Sequence, residues 1–203
     1  MKLLVRVIFY VAGLVILTLG ICMAILSNLG AGPWDALNAG LARTAGLTIG
    51  SWVIIIGIIL MLVNAWLLKA RPDYLALLTV CLIGFMADFW ILRVFSGAYI
   101  LNVYFQIAAL IMGLALIGLG AALYLQAEFP LNPIDHFMMA IKERFGVSLM
   151  MAKTIGEAGA LLLAMVFHGP VGAGTIVIAV LIGPFIQLFF PYCEQLLKRF
   201  SGT

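Results

Sequence analysis

Residues 29–35 read Leu-Gly-Ala-Gly-Pro-Trp-Asp, and residues 129–135 read Phe-Pro-Leu-Asn-Pro-Ile-Asp. Each stretch follows a long apolar run and precedes a short segment that ends near a glycine, Gly46 or Gly146. Proline fixes φ at a value suited to a first helical turn, and an acidic residue is favoured at the positive end of a helix. Both stretches therefore predict the start of a short helix, over residues 34–45 and 134–145.

The two stretches belong to an internal repeat with an offset of 100 positions. The matched pairs are Gly13 with Gly113, Leu14 with Leu114, Leu19 with Leu119, Gly20 with Gly120, Pro33 with Pro133, Asp35 with Asp135, Gly46 with Gly146 and Thr48 with Ser148. One residue is then deleted, so that 82–84 align with 181–183. Shared polar and turn residues at a fixed offset indicate a true repeat. We therefore predict a single domain, 1–203, with repeat 1 over about 7–95 and repeat 2 over about 101–192.

The composition indicates a membrane protein. Of the 203 residues, 66% are hydrophobic and 9% are charged, whereas a soluble domain carries about 25% charged residues. Six apolar runs are long enough to cross a bilayer, near residues 7–27, 49–68, 74–92, 101–124, 149–167 and 172–191. The predicted fold is an all-α polytopic membrane protein of six transmembrane helices, three in each repeat. The segments 34–45 and 134–145 are too short to cross and are interpreted as half-helices.

The charge pattern predicts the orientation of the spans. An odd number of spans in each repeat makes the second copy enter the membrane from the opposite side, so the repeats are inverted. With the N-terminus inside, nine of the eleven basic residues fall on or near the cytoplasmic side: Lys2, Arg6, Lys69, Arg71, Lys142, Arg144, Lys153, Lys198 and Arg199. Only Arg43 and Arg93 fall outside. Because Lys and Arg concentrate in cytoplasmic loops, both termini are predicted to be cytoplasmic.

Cysteine labelling tests this orientation. The chain has three cysteines, Cys22, Cys81 and Cys193, and single cysteines would be placed at Ser96 and Ser201 after their removal. An impermeant maleimide applied to whole cells is expected to label position 96 and to leave position 201 unlabelled, because the two lie on opposite faces. Equal labelling of both positions would contradict the six-span arrangement.

Polar residues near or within the spans are candidates for a substrate-binding or ion-binding site. Ionisable groups at membrane depth are costly and therefore often functional. The candidates are Asp35, Asp135 and Asn132 at the short helices, Asn28 and Glu128 at the ends of the first and fourth spans, and Glu157, Asp88 and Gln187 within later spans.

Plainer interpretations of these residues stay open. Asp35 and Asp135 are also the residues expected at any helix start. Glu157 is the right distance from Lys153 for an i, i+4 ion pair, and Asp88 is near Arg93. The small residues Ala152, Gly156, Ala160 and Ala164 form a stripe that lets another helix pack closely. Glu157 is thus expected to face protein or a cavity.

The Leu-Gly-x-Gly-Pro-Trp-Asp run, the residues 36–41 that follow it and the Asn-Pro-x-Asp variant at 132–135 carry a resemblance. In these motifs, and in length and span pattern, the chain resembles the YczE-like branch of the YczE/YyaS/YitT family of bacterial integral membrane proteins. The resemblance implies a multi-pass protein of the bacterial cytoplasmic (inner) membrane, in a family without an established common substrate.

The leading functional hypothesis is a small transporter or permease for a small molecule or an ion, with its site near the pseudo-twofold axis. Discontinuous helices at matching places in two halves favour this interpretation. The alternative is an accessory or scaffold protein whose aspartates only start helices. An intramembrane enzyme is less favoured, because no catalytic motif is present.

The sequence also limits the partners. It predicts neither a cofactor nor a metal, since cysteines and histidines are few and scattered. The basic residues flank apolar runs, so the expected partner is the lipid bilayer and not nucleic acid. A homo-oligomer is compatible with the sequence.

Overall fold

A computed structural model describes residues 2–201 of the chain, with the side chains of residues 3–200. Within these residues it contains eight α-helices and no strand. They are α1 (Lys2–Leu26), α2 (Pro33–Ala45), α3 (Ile49–Leu68), α4 (Ala76–Phe89), α5 (Val103–Gln126), α6 (Pro133–Phe145), α7 (Leu149–Val166) and α8 (Ala173–Ser201). A π-helical turn, Trp90–Val94, continues α4.

Six of these helices are long and apolar enough to cross a membrane: α1, α3, α4 with its π-helical turn, α5, α7 and α8. The predicted all-α protein with six spans is confirmed at this level. α1 begins five residues before the predicted run, and α8 continues ten residues beyond it. The reason is that hydropathy marks the width of the hydrocarbon layer, whereas a helix continues through charged residues at either side of it. The topology prediction at the C-terminus includes Gly202 and Thr203, which lie outside the described residues.

The helix boundaries recur at the offset of the sequence repeat. α2 and α6 begin at Pro33 and Pro133, α3 and α7 begin at Ile49 and Leu149, and α1 and α5 end at Leu26 and Gln126. The caps recur as well. The hydroxyl of Thr48 accepts a hydrogen bond from the amide of Ser51 at 3.1 Å, and that of Ser148 accepts from the amide of Met151 at 3.2 Å. Equivalent residues therefore start equivalent helices in the same way.

Residues with left-handed backbone conformation also recur in pairs. They are Asn28 (φ 57°) with Glu128 (φ 53°), Gly46 (φ 77°) with Gly146 (φ 66°), and Lys69 (φ 51°) with His168 (φ 53°). Few non-glycine residues adopt this region, and each pair follows the end of a helix. The chain therefore reverses direction with the same local geometry in both halves of the sequence.

The chain divides into two compact units, and each draws on both halves of the sequence. Unit 1 comprises Met1–Gly32, Met86–Phe129 and Gly172–Thr203, and so holds the described parts of α1, α5 and α8. Its core includes Ala24, Leu110, Leu114, Ile117 and Ile178.

α1 and α5 in unit 1 pack backbone to backbone. A Cβ atom added to Gly13 would lie 2.6 Å from the amide nitrogen of Tyr124, and one added to Gly20 would lie 2.6 Å from that of Ile117. The residue number rises along α1 as it falls along α5, so the two helices are antiparallel. Glycines permit this approach, which lets long stretches of the two helices contact each other.

Gly120 on α5 provides a test of this packing. A Cβ atom there would collide with the backbone of Leu17, so Gly120→Ala is expected to lower the free energy of unfolding by about 1–3 kcal/mol. Gly159 on α7 is the control, because nothing lies within 4 Å of a Cβ atom built there. Gly159→Ala is expected to cause no loss. Thermal unfolding in detergent compares the two variants, and equal midpoints would contradict the close crossing.

Unit 2 comprises Pro33–Phe85 and Pro130–Val171, and it contains α2, α3, most of α4, α6 and α7. α2 packs on α7 and α3, and α6 packs on α3 and α7. At the end of α7, Gly40 of α2 approaches the carbonyl of Phe167. At the end of α3, Leu67 packs with Ala140 and Ile141 of α6. Each short helix therefore crosses the C-terminal end of a long helix that comes from the other half of the sequence.

Candidate functional site

An aromatic ring near the start of α2 contacts an aromatic ring of α6 within unit 2. The ring of Trp34, the second residue of α2, contacts the ring of Phe137 on α6 edge to face. The ring centroids are 6.2 Å apart and the planes are at 90°. Aromatic pairs favour this geometry. The N-terminal ends of α2 and α6 are therefore neighbours.

The middle of α7 packs against both of these rings. A Cβ atom added to Gly156 would lie 3.7 Å from the Phe137 ring and 4.0 Å from the Trp34 ring. The whole small-residue stripe of α7 is buried: Ala152, Gly156, Ala160 and Ala164. The absence of large side chains along this face gives the two short helices room against α7.

Charged residues gather beside this contact. Glu157 of α7 follows Gly156, and it interacts electrostatically with Lys153 one turn earlier and with Asp135 of α6. Asp35 of α2 interacts with Glu157 as well. All four side chains are partly buried. We call Asp35, Asp135, Lys153 and Glu157 the acidic cluster, because it holds three carboxylates against one ammonium group.

The environment of Asp35 changes its protonation. Burial, and secondarily the nearby carboxylate of Glu157, raise the pKa of Asp35 from 3.8 to about 7. Both causes disfavour the ionised form. A pKa of about 7 places the change in protonation of Asp35 close to neutral pH.

Two buried amides lie near the cluster's helices and were not identified from the sequence. Asn38, one turn after Asp35 on α2, is 2% exposed, and its Oδ1 has no hydrogen-bond partner among the described residues. Asn64 on α3 is also 2% exposed, and its Oδ1 likewise lacks a partner there. The repeat gave no signal for Asn38, whose counterpart is the apolar Met138. The available signal in the sequence was that Asn38 lies among small residues, which are typical of a closely packed helix face.

Asn132 has a structural role at the start of α6. Its side-chain oxygen accepts a hydrogen bond from the amide of Ile134 at 3.3 Å, and its carbonyl accepts one from the amide of His136 at 3.1 Å. The segment before α6 is held by two more bonds. Asn64 Nδ2 donates to the Pro133 carbonyl at 3.0 Å, and the Thr79 hydroxyl donates to the Pro130 carbonyl at 2.9 Å.

A small cavity of about 30 Å³ lies beside the start of α6. Its polar lining residues are Asn64, Arg71, Asp73 and His136, and Met61 and Pro133 are among the others. All belong to unit 2.

The remaining sequence candidates lie in unit 1. Asn28 and Glu128 are exposed at the left-handed ends of α1 and α5, and the Glu128 carboxylate forms an ion pair with Arg6 of α1. Asp88 is partly buried near the end of α4, and Gln187 is exposed on α8. The structure thus brings Asp35, Asp135, Asn132 and Glu157 into unit 2. In the described part of the chain, no three His, Cys, Asp or Glu side chains are placed to hold a metal ion.

Comparison with known proteins finds one matching family and similar proteins in two bacteria. Residues 4–191 match the model of a family of unknown function, DUF6198. The chain is 38% identical to the uncharacterized protein YyaS of Bacillus subtilis (strain 168), over 92% of this chain and 93% of that protein. It is 35% identical to the uncharacterized membrane protein YczE of the same organism, over 97% of this chain and 91% of that protein.

A third relative is an uncharacterized protein of Haemophilus influenzae, 31% identical over 89% of this chain and 81% of that protein. No solved structure matches the chain. The resemblance to the YczE and YyaS proteins is thereby confirmed. The chain belongs to the DUF6198 family and is a membrane protein related to YczE and YyaS.

Proposed function

We propose that this protein is a small transporter of the bacterial cytoplasmic membrane, and not an enzyme, with both termini in the cytoplasm. Its site is the acidic cluster, where the N-terminal ends of α2 and α6 meet the middle of α7. The architecture is an inverted pair of three-span repeats, over about 7–95 and 101–192. The recurring helix boundaries, the paired left-handed residues and the antiparallel packing of α1 and α5 support that architecture.

The contact between Trp34 and Phe137 beside Gly156 is the observation that carries the proposal. Each short helix has 13 residues and is about 20 Å long, too short to cross about 30 Å of hydrocarbon. In the predicted topology the ends of α3 and α7 lie at opposite faces of the membrane. Since α2 and α6 contact each other through Trp34 and Phe137 and pass these two opposite ends, we expect them to enter the membrane from opposite faces. Such discontinuous helices form the binding sites of many inverted-repeat transporters.

The charges favour a cationic solute or a proton. When all three carboxyl groups are ionised, the acidic cluster has an excess of negative charge over the ammonium group of Lys153. An anion at the start of α6 is disfavoured, because the amides of Ile134 and His136 already donate to Asn132. The raised pKa of Asp35 allows this carboxyl to exchange a proton near neutral pH. We therefore propose transport of a small cation coupled to protonation of the cluster.

Electrical recording on a solid-supported membrane tests the site without a known substrate. Liposomes that carry the purified protein receive a jump from pH 8 to pH 6, and a transient current is expected as protons move to the buried carboxylates. Small amines applied at constant pH then probe for a transported cation. Glu157→Gln is expected to remove most of the proton current, whereas Glu194→Gln should keep it, because Glu194 pairs with Lys198 on the exposed end of α8. Equal currents from both variants would contradict the site and favour an accessory role.

A further inference from the structure

The cavity beside the start of α6 has room for water and little else. Its volume, about 30 Å³, corresponds to one or two water molecules. Its polar lining comes from three places in unit 2: Asn64 on α3, the segment with Arg71 and Asp73, and His136 on α6. It therefore joins the connection between α3 and α4 to the first turn of α6, the turn that carries Asp135.

Asn64 offers a hydrogen-bond acceptor beside the cavity. The side chain is 2% exposed, and its Nδ2 is occupied by the Pro133 carbonyl. Its Oδ1 accepts no hydrogen bond from any described residue. An unsatisfied buried acceptor destabilises the protein, so an occupant that donates a hydrogen bond is favoured. Water and the hydronium ion are donors of the right size.

The corresponding place at α2 is closed. His136 corresponds to Ala36 at the offset of 100, and Ala70 corresponds to Gly169 at the offset of 99 that follows the deletion. Ala70 and His136 line the cavity. A Cβ atom added to Gly169, however, would collide with the carbonyl of Ala36, so these two backbones are in contact. At this place beside α2 the backbone is thus packed more closely than at the cavity beside α6.

We propose that this cavity is a water-filled passage that carries protons between the Lys69–Asp73 side of the membrane and Asp135, in a conformation open to that side only. The proposal rests on the transport function above and adds its route of access. The passage brings water to the first turn of α6. Two titratable groups line the route: His136, next to Asp135 in the chain, and Asp73, at the end away from Asp135. Arg71 adds a fixed positive charge. No covalent step is involved, since a proton passes along hydrogen-bonded water.

X-ray radiolytic footprinting tests the water, because hydroxyl radicals made from bound water oxidise the side chains beside it. Met61 is 6% exposed and lines the cavity, so its oxidation reports internal water. Asn64→Leu removes the acceptor and is expected to reduce oxidation of Met61 about tenfold. The exposed Tyr74 serves as the reference for radical dose and should be unchanged. If Asn64→Leu does not fold, Ala65→Leu fills the same cavity with apolar volume.

The pH-jump current separates this proposal from the transport function. If the passage carries protons, both Asn64→Leu and Ala65→Leu should decrease the current in proportion to the loss of Met61 oxidation. Unaltered oxidation of Met61, or a dry cavity with an unaltered current, would overturn the passage and leave the acidic cluster as the site. A current that persists in Glu157→Gln would contradict the acidic cluster as the transport site. Oxidation of Met61 would then still show water in the cavity.

Discussion

Asp35→Asn is expected to raise the thermal unfolding midpoint at pH 8 and to remove the proton current. The pKa of Asp35 is about 7 in the folded protein, against 3.8 for the free side chain. Between these values the folded state holds a proton that the unfolded state has lost. Stability therefore falls as the pH rises from about 4 to about 7 and stays low above that range. Asparagine stays neutral, so the gain from Asp35→Asn should be largest at pH 8, smaller at pH 5 and absent below about pH 4.

The groups that face Asp35 sharpen this expectation. Glu157 and Lys153 lie on α7, and Asp135 on α6 interacts with Glu157. Relief of the burial of the Asp35 carboxylate is the larger part of the gain at high pH, and relief of its repulsion with Glu157 is the smaller part. The current should fall at least about tenfold, because the carboxyl that titrates near neutral pH is gone.

Asp73→Asn is the matched control for stability, since Asp73 lies in the segment before α4 and its carboxylate accepts a hydrogen bond from the amide of Leu75. Asparagine keeps a side-chain oxygen that can accept the same bond, so Asp73→Asn should change the stability little and give no gain at pH 8. Differential scanning fluorimetry from pH 4 to pH 8 compares the variants. A midpoint of Asp35→Asn that follows the wild-type pH dependence would show that Asp35 is ionised throughout and would remove it from the proposed proton cycle.

The sequence predicted the start of α2 and of α6 because those starts depend on local chemistry. Proline at the first helical position, aspartate two residues later and glycine after the last turn act within a few residues of the chain. The hydroxyl caps of α3 and α7 are local in the same sense. Such signals therefore recur wherever the repeat recurs.

The partners of the short helices could not be predicted in this way. In a membrane the stripe Ala152, Gly156, Ala160 and Ala164 indicates that some helix packs closely, but not which one. The contact of Trp34 with Phe137 depends on tertiary packing of residues that are far apart in the chain. The sequence pattern also did not distinguish Asn38 and Asn64, because a single amide within an apolar run gives no periodic signal.

The charged candidates in unit 1 illustrate the same limit. Glu128 follows the end of α5 in a left-handed conformation and pairs with Arg6 near the start of α1. That pairing follows from the antiparallel contact of α1 and α5, which brings the end of one helix to the start of the other. Repeat symmetry in the sequence marked Asn28 and Glu128 as equivalent, but it carried no information on their neighbours.

Glu157→Gln, alone and with Lys153→Met, is expected to separate structure from function in the acidic cluster. The single change leaves the partly buried ammonium of Lys153 without its nearest carboxylate partner on α7. At pH 5, where Asp35 is largely protonated and repels Glu157 little, this change should lower the free energy of unfolding; at pH 8 the loss should be smaller, because the change also relieves that repulsion. The double change removes both charges and replaces the lysine by an apolar chain of similar length, so most of the stability should return.

The proton current gives the second half of this cycle. If Glu157 only holds α7 in place, the double variant should recover both its stability and its current. We expect it to recover stability alone, because Glu157 is the carboxylate that interacts with Asp35 of α2 and with Asp135 of α6. Lys153→Met by itself is the remaining corner of the cycle, and it should keep the current, since it removes none of the three carboxylates. A wild-type current in the double variant would show that Glu157 and Lys153 have only a structural role. It would also contradict the proposal that Glu157 couples Asp35 to Asp135.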